Sequence, residues 1–420
     1  MANNHLRMNF HAHPLPATPP RVVVTGAGIV TALGIGWQKN AAGFRAGKTA
    51  FRPVTQFDVS RQRVKTAAEV DLPAQMPATL LSARQSARLD RASALLLLAA
   101  VEAWQQSGWE ASDEIPLVLG TTSGGMPLGE AYFRQAVQTP RQHRRQPTRA
   151  FHYQSHSQGR IVLDALGLGG PVSIISNACA SGSCAIGQAW ELIRSGAAER
   201  VFTGGYDVLS QFVFAGFDAL QSLSPTHCRP FDKNRDGLAV GEGAAMLTLE
   251  TLASAQQRGA KILGEIIGYA TTIDRHHLTQ PHPEGSAAFA AMTQACAVAG
   301  VTSAEIDYVN AHGTGTPLND GAEAAAISRW AGARAATLPV SSTKASVGHL
   351  LGGAGAVEAV VCLMALRGQW LPPELALVTP DPLCQFPLVT KPQEATVNTV
   401  LSNSFGFGGV NATLILRRRA

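Results

Sequence analysis

Cysteine is sparse in this sequence. Six residues, Cys179, Cys184, Cys228, Cys296, Cys362 and Cys384, occur among 420, and none forms a CxxC pair or a zinc-ligand spacing. That excludes a disulfide framework and argues against a structural metal. Each cysteine taken alone reads as a small buried hydrophobe. Charge is also scarce, at 15% of residues against 45% apolar, which excludes a disordered chain and fits a well-buried globular protein. The first 20 residues lack the apolar centre of a signal peptide and read as a flexible extension. The longest apolar run, Ala94 to Val101, stops at Glu102 and is too short to span a bilayer. No membrane segment and a cytoplasmic location, where free thiols stay reduced, are therefore expected. Helix-turn-helix, zinc-finger and aromatic-rich RNA motifs are missing too. The net charge of +5 and pI near 9.0 then point to an acidic protein partner or anionic substrate rather than nucleic acid.

What is present is glycine, 41 residues often clustered, and an alternation of strand-like and helix-like segments. Strands are expected at 21–30 and 261–272, at the start of each of 115–125, 171–196, 200–209, 306–317 and 338–366, and on both sides of the loop in 399–418. Helices are expected at 89–106, 250–258 and 287–299 and at the ends of 171–196 and 338–366, with Gly196, Gly259 and Gly300 as stops. This is an α/β pattern with buried sheets. The length exceeds one core, so two units are expected, 21–265 and 266–420, after an extension at 1–20. Gly26-Ala-Gly28 after the first strand resembles a dinucleotide fingerprint, but Thr31 stands where the third glycine belongs, so a nicotinamide cofactor is not expected.

Four strand-end loops carry chemistry. Asn177-Ala-Cys179-Ala-Ser-Gly182 puts a cysteine where a strand breaks into a helix, among small residues. The helix end favours thiolate, hence a nucleophile, although a buried cysteine in a tight turn fits these residues equally. His312 enters a Gly/Thr loop, and Lys344 and His349 follow another strand. Singly, each histidine reads as a core residue, but ligand sites in α/β proteins collect at the carboxyl ends of strands. The loop Asn403–Gly409 is either a plain turn or a source of N–H groups for an oxyanion.

The spans NACASGSCAIG, NAHGTGTPLND, SSTKASVGHLLGGAGAVEA and NSFGFGGVNATL closely resemble the β-ketoacyl–acyl carrier protein synthases of the decarboxylating Cys-His-His type and their polyketide relatives. The likeness runs from Arg21 to Arg418. It implies a thiolase-like fold, layered αβαβα with two similar halves, in a dimer. It implies that Cys179 holds the acyl chain, and that His312 and His349 bind the malonyl thioester carbonyl and stabilise the enolate left by CO2 loss. Lys344 is implied to organise the site, paired with Glu323. The N–H groups of Cys179 and Phe407 would form the oxyanion hole, with Phe407 as a gate and Phe405 and Gly408 in the same loop. Thr314 and Thr316 would face the pantetheine arm. Arg84, Arg88, Arg144, Arg145 and Arg149 fall in carrier-docking regions, and acyl carrier proteins are acidic. Neither capture of the acyl chain by Cys179 nor the decarboxylative condensation implied by the resemblance needs a metal or redox cofactor.

Some positions depart from the fatty-acid pattern. Ser346-Val347 replaces Met-Thr, Ser123 stands where a bulky apolar residue is common at the pocket floor, and HGTGT replaces HGTST. The implied function is β-ketoacyl-ACP synthase in fatty acid biosynthesis. The alternative is a ketosynthase subunit of a type II polyketide or aryl polyene pathway with a chain-length-factor partner. A thiolase needs a second cysteine in the C-terminal glycine loop, which NSFGFGG lacks. A non-catalytic chain-length subunit lacks the nucleophile. A cysteine hydrolase needs fewer of these loops.

Overall fold

The fold comes from a computed structural model in which the described residues are 16–112 and 114–419. Residues 1–15 of the expected extension lie outside them. Ten strands form one sheet: β1 (Val22–Thr31), β2 (Leu117–Gly120), β3 (Val172–Ile175), β4 (Arg200–Asp207), β5 (Gly243–Thr251), β6 (Gly264–Ile273), β7 (Tyr308–Asn310), β8 (Val340–Ser341), β9 (Thr399–Phe405) and β10 (Val410–Arg417). A two-residue strand, Gly34–Ile35, folds back on β1. The spatial order is β8-β7-β9-β10-β6-β1-β5-β4-β2-β3. From the centre outward, the first five strands run 1-5-4-2-3 and the last five run 6-10-9-7-8, which is one pattern used twice. The pairings repeat as well: antiparallel for the inner steps, parallel for the outer ones. Antiparallel pairing of Val22, Val23 and Val24 with Ile266, Glu265 and Gly264 joins the two patterns.

Four helices complete the layers: α1 (Arg91–Ser107), α2 (Ser181–Arg194), α3 (Ser286–Ala299) and α4 (Ala354–Gly368). α2 and α4 pack on each other and on strands of both patterns, so they form the middle layer. α1 covers β1 and β5 from outside, and α3 covers β6 and β10. The result is α1, the first five strands, α2 with α4, the last five strands, α3, the expected αβαβα layering with two similar halves. α4 is apolar on all sides because it is enclosed on all sides. With the turn before it, it is long and apolar enough to cross a membrane by composition, but it is a core helix here.

β1 shows why the sequence folds this way. All ten of its residues are buried, the near-continuous apolar reading of a strand covered on both faces. Its two glycines let α1 lie directly on it. A Cβ on Gly26 would sit 2.1 Å from the Ala103 carbonyl oxygen, and one on Gly28 would sit 1.9 Å from that of Ala99. The false dinucleotide motif is thus a packing device. α1 starts at Asp90, whose carboxylate accepts the Ser93 N–H at 3.1 Å, and stops at Gly108 with φ 64°.

The structure corrects some elements. Glu250 and Thr251 end β5, and the helix there is only Leu252–Gln257. Glu250 is held in the strand by hydrogen bonds from Arg258, Thr25 and Trp109. Most of β5 and the helix Pro317–Ala331 had no sequence expectation.

Candidate active site

Cys179 lies in a single 3₁₀ turn, Ala178–Ala180, between β3 and α2. Ala178 holds φ 48°, a left-handed conformation that a non-glycine residue adopts at a cost, and this turns the sulfur out of the strand direction. The Ser181 hydroxyl accepts the Asn177 N–H at 2.8 Å and donates to the Ala178 carbonyl at 2.6 Å, closing the turn. Cys179 is 9% exposed. Burial pushes its thiol up to about 12, and the Lys344 ammonium and a hydrogen bond from the Phe407 N–H counter this only in part. The helix end therefore does not leave a resting thiolate, contrary to the reading from sequence, because desolvation outweighs it.

His312 follows β7. The carboxylate of Glu323, on the helix Pro317–Ala331, accepts the N–H groups of His312 and Gly313, each at 2.8 Å. Lys344 donates to the His312 carbonyl at 2.6 Å and approaches His312 Nδ1 at 3.5 Å. Nδ1 is then the acceptor nitrogen, so the proton of this neutral ring sits on Nε2. The His349 ring stands edge-on to that of His312, with centroids 5.2 Å apart. Its Nδ1 is buried without a protein partner. Phe405 packs 5.5 Å from His312, and Phe407 packs 6.1 Å from Phe217.

Cys179, His312, His349, Glu323, Thr314, Thr316, Phe405 and Phe407 line one cavity of about 340 Å³. The remaining expected residues sit elsewhere. Lys344 lies behind His312 and pairs with Glu358, not with Glu323. Glu323 is instead taken up by backbone N–H groups and by Asn403 at 3.2 Å. Gly408 donates its N–H to the Leu278 carbonyl at 2.7 Å and so offers none to the cavity. The Ser123 hydroxyl turns onto Asp207 at 2.7 Å and does not form a pocket floor. Arg84, Arg88, Arg144 and Arg145 are exposed. Arg149 is half-buried and is spent on Ala131, Gln135 and Gln146, bracing two helices. Sequence reasoning missed Glu358, one carboxylate in an apolar helix with no neighbouring signal.

Burial, and then the charge of Lys344, hold both His312 and His349 well below the usual histidine range. Unfolded, each would titrate near about 6.5. Below that pH the unfolded chain binds protons that the folded site refuses, so stability falls with pH by up to about 1.4 kcal/mol per histidine per unit. Glu323, pushed up to about 7 by burial, works in the opposite sense. The informative quantity is therefore a difference. From pH 6.5 to 5.5, wild type should lose more stability in urea titrations than a His312→Gln/His349→Gln variant. Equal losses would contradict two buried neutral imidazoles.

Such a site presents a thiol, an N–H aimed at the sulfur and two neutral imidazoles to one substrate. Residues 20–255 match the β-ketoacyl synthase N-terminal domain, and residues 263–378 match the β-ketoacyl synthase C-terminal domain. The chain belongs to the β-ketoacyl synthase family. It is 38% identical to the 3-oxoacyl-[acyl-carrier-protein] synthase 2 of Synechocystis over 95% of this chain and 98% of that protein. Among solved structures it is similar to the ishigamide ketosynthase/chain length factor, with a TM-score of 0.88 and 31% identity over 96% of this chain and all of that one. It is also similar to a type II PKS ketosynthase solved with its acyl-carrier protein and bound to the hexaketide, with a TM-score of 0.84 and 26% identity over the same shares. The fold is thiolase-like.

Proposed function

We propose that the chain is a β-ketoacyl-ACP synthase that extends an acyl chain by two carbons in fatty acid biosynthesis. The observation that carries this is the cavity uniting Cys179, the Phe407 loop and two neutral histidines. The Cys179 sulfur attacks an acyl thioester, the carrier thiol leaves, and the acyl group stays on Cys179. Malonyl-ACP then binds with its thioester oxygen toward the histidines. Loss of CO2 places negative charge on that oxygen, and imidazole N–H donors in a water-poor site stabilise it. The enolate carbon attacks the Cys179 thioester. The resulting oxyanion faces the Cys179 and Phe407 N–H groups, and Cys179 is expelled as thiolate.

The partner is acyl carrier protein, with Arg84, Arg88, Arg144 and Arg145 supplying exposed positive charge. A second subunit fits the open edge of β3. The helices Met126–Gln138 and Gln146–Tyr153, which pack on each other, expose Phe133 and Phe151. The partner is a second copy of this chain or a chain-length factor. The units are 21–265 and 266–420, and the six free thiols fit a reducing, cytoplasmic setting. The alternative reading, a type II polyketide or aryl polyene ketosynthase, is favoured by the HGTGT loop.

The test is to supply acyl-ACP and malonyl-ACP and to measure CO2 and product mass, with and without a chain-length subunit. β-Ketoacyl-ACP two carbons longer is expected. His312→Ala and His349→Ala should each cut CO2 release on the order of 10²–10³-fold. Normal release in either variant removes its proposed role. Product only in the presence of the second subunit would select the alternative.

A further inference from the structure

Asp207 ends β4 and is fully buried. Six donors converge on its carboxylate. These are the Thr121 hydroxyl at 2.8 Å, the Thr122 N–H at 2.9 Å, the Ser123 N–H at 2.9 Å and hydroxyl at 2.7 Å, the Gly124 N–H at 3.3 Å and the Gly352 N–H at 2.7 Å. The first five belong to the loop after β2, in the first half. Gly352 comes from the second half, in the turn that leads into α4. That turn presses on the loop so closely that a Cβ on Gly352 would stand 2.4 Å from the Thr122 nitrogen. From the clamped loop, the Thr122 hydroxyl donates to the Ala178 carbonyl at 3.0 Å. Ala178 is the left-handed residue immediately before Cys179.

We propose that Asp207 is a positioning residue for the nucleophile. It fixes the loop whose Thr122 hydroxyl holds the strained Ala178–Cys179 turn, and it locks that turn to the second half, which supplies the histidines. The inference rests on the reading of Cys179 as the acyl-bearing thiol.

The chemistry calls for an anion at this position. A carboxylate only accepts, with about four lone-pair sites, whereas a carboxamide would aim two N–H donors at groups that are themselves donors. A strained turn persists only where its surroundings over-determine it, and here Ser181 holds it from the helix side and Thr122 from the loop side. The charge has a second consequence. Cys179 is faced by Lys344, Asp207 and Glu358, with His312 and His349 across the cavity. Asp207 opposes the thiolate and Lys344 favours it. Burial is the main cause that keeps the thiol protonated, and the Asp207 charge adds to it in the same direction.

The experiment compares Thr122→Val, Thr122→Ser and Asp207→Asn in the full chain. Acyl transfer from acyl-ACP to Cys179 is followed by intact mass, iodoacetamide alkylation of Cys179 across pH by peptide mass, and folding by thermal melts. Thr122→Val should slow acylation roughly fivefold, the scale of one hydrogen bond, with an unchanged melt. Thr122→Ser should restore the rate. Asp207→Asn should move the alkylation profile to lower pH by roughly one unit. Wild-type acylation rates in Thr122→Val, no rescue by serine, or an unmoved profile in a folded Asp207→Asn would each overturn the proposal. If Asp207→Asn does not fold, the Thr122 pair decides alone. If wild-type Cys179 takes no acyl group, the proposed function fails, and the alkylation profile then decides the role of Asp207.

Discussion

Cys179→Ala should abolish condensation while leaving malonyl-ACP decarboxylation running. The two activities use different groups in one cavity. Condensation needs a sulfur to hold the acyl chain, and removing a covalent nucleophile costs on the order of 10⁴-fold or more. CO2 loss needs a place for negative charge, and His312 and His349 do not depend on the sulfur for their geometry. The two rings contact each other, and Lys344 fixes His312 from behind. The variant loses only a small side chain from a turn held by Ser181 and Thr122, so it should fold. Carbon dioxide from labelled malonyl-ACP and the mass of the carrier-bound product separate the outcomes. In wild type, the acyl mass shift should map to Cys179. Cys184 is the control, since it lies further along α2 in a small apolar cluster and burial raises its thiol. An acyl group on Cys184, or condensation surviving in Cys179→Ala, would remove the nucleophile from this account.

The positions of the candidate reacting groups were legible in the sequence because each lies beyond the carboxyl end of a strand. Cys179 and His312 sit just past β3 and β7, His349 comes after the short helix Lys344–Val347 that follows β8, and the repeated topology brings these ends together. The groups that hold them were not legible. Glu358 lies inside α4, where the apolar pattern reads only as core, and its partner is 14 positions back in sequence across a tight turn. Glu323 was found, but the partner implied by the resemblance was wrong, and the backbone N–H groups that Glu323 accepts leave no trace in a sequence. Gly408 and Ser123 failed for the same reason: their hydrogen bonds go to Leu278 and Asp207, which only the fold brings near. The thiolate reading of Cys179 failed on burial, because a run of small residues suggested access where the fold encloses the sulfur. β5 escaped notice because Gly243, Ala244 and Ala245 carry no β-branched signal, and packing rather than propensity makes them a strand.

The second large effect concerns the pair that sequence reasoning mismatched. Lys344 and Glu358 are 1% and 3% exposed, and Glu358 Oε2 is already without a partner. Removing one member of a buried ion pair strands the other, at a cost of about 3–5 kcal/mol. Lys344→Met should therefore lower unfolding free energy by about that amount. Lys344→Met/Glu358→Leu should recover much of it, because the double change leaves no unpaired charge. Activity should not recover with stability. Lys344 is the donor that keeps the His312 lone pair on Nδ1 and hence the proton on Nε2, so both variants should lose decarboxylation on the order of 10²–10³-fold. Glu323→Gln separates the two carboxylates. It leaves Lys344 paired and alters only the acceptor for the His312 and Gly313 N–H groups and the Asn403 amide, so its cost should be smaller than that of Glu358→Gln. Urea titrations and CO2 release on the four proteins decide the matter. A Lys344→Met variant as stable as wild type would refute the buried pair, and a double variant that regained activity would show that His312 needs no donor from Lys344.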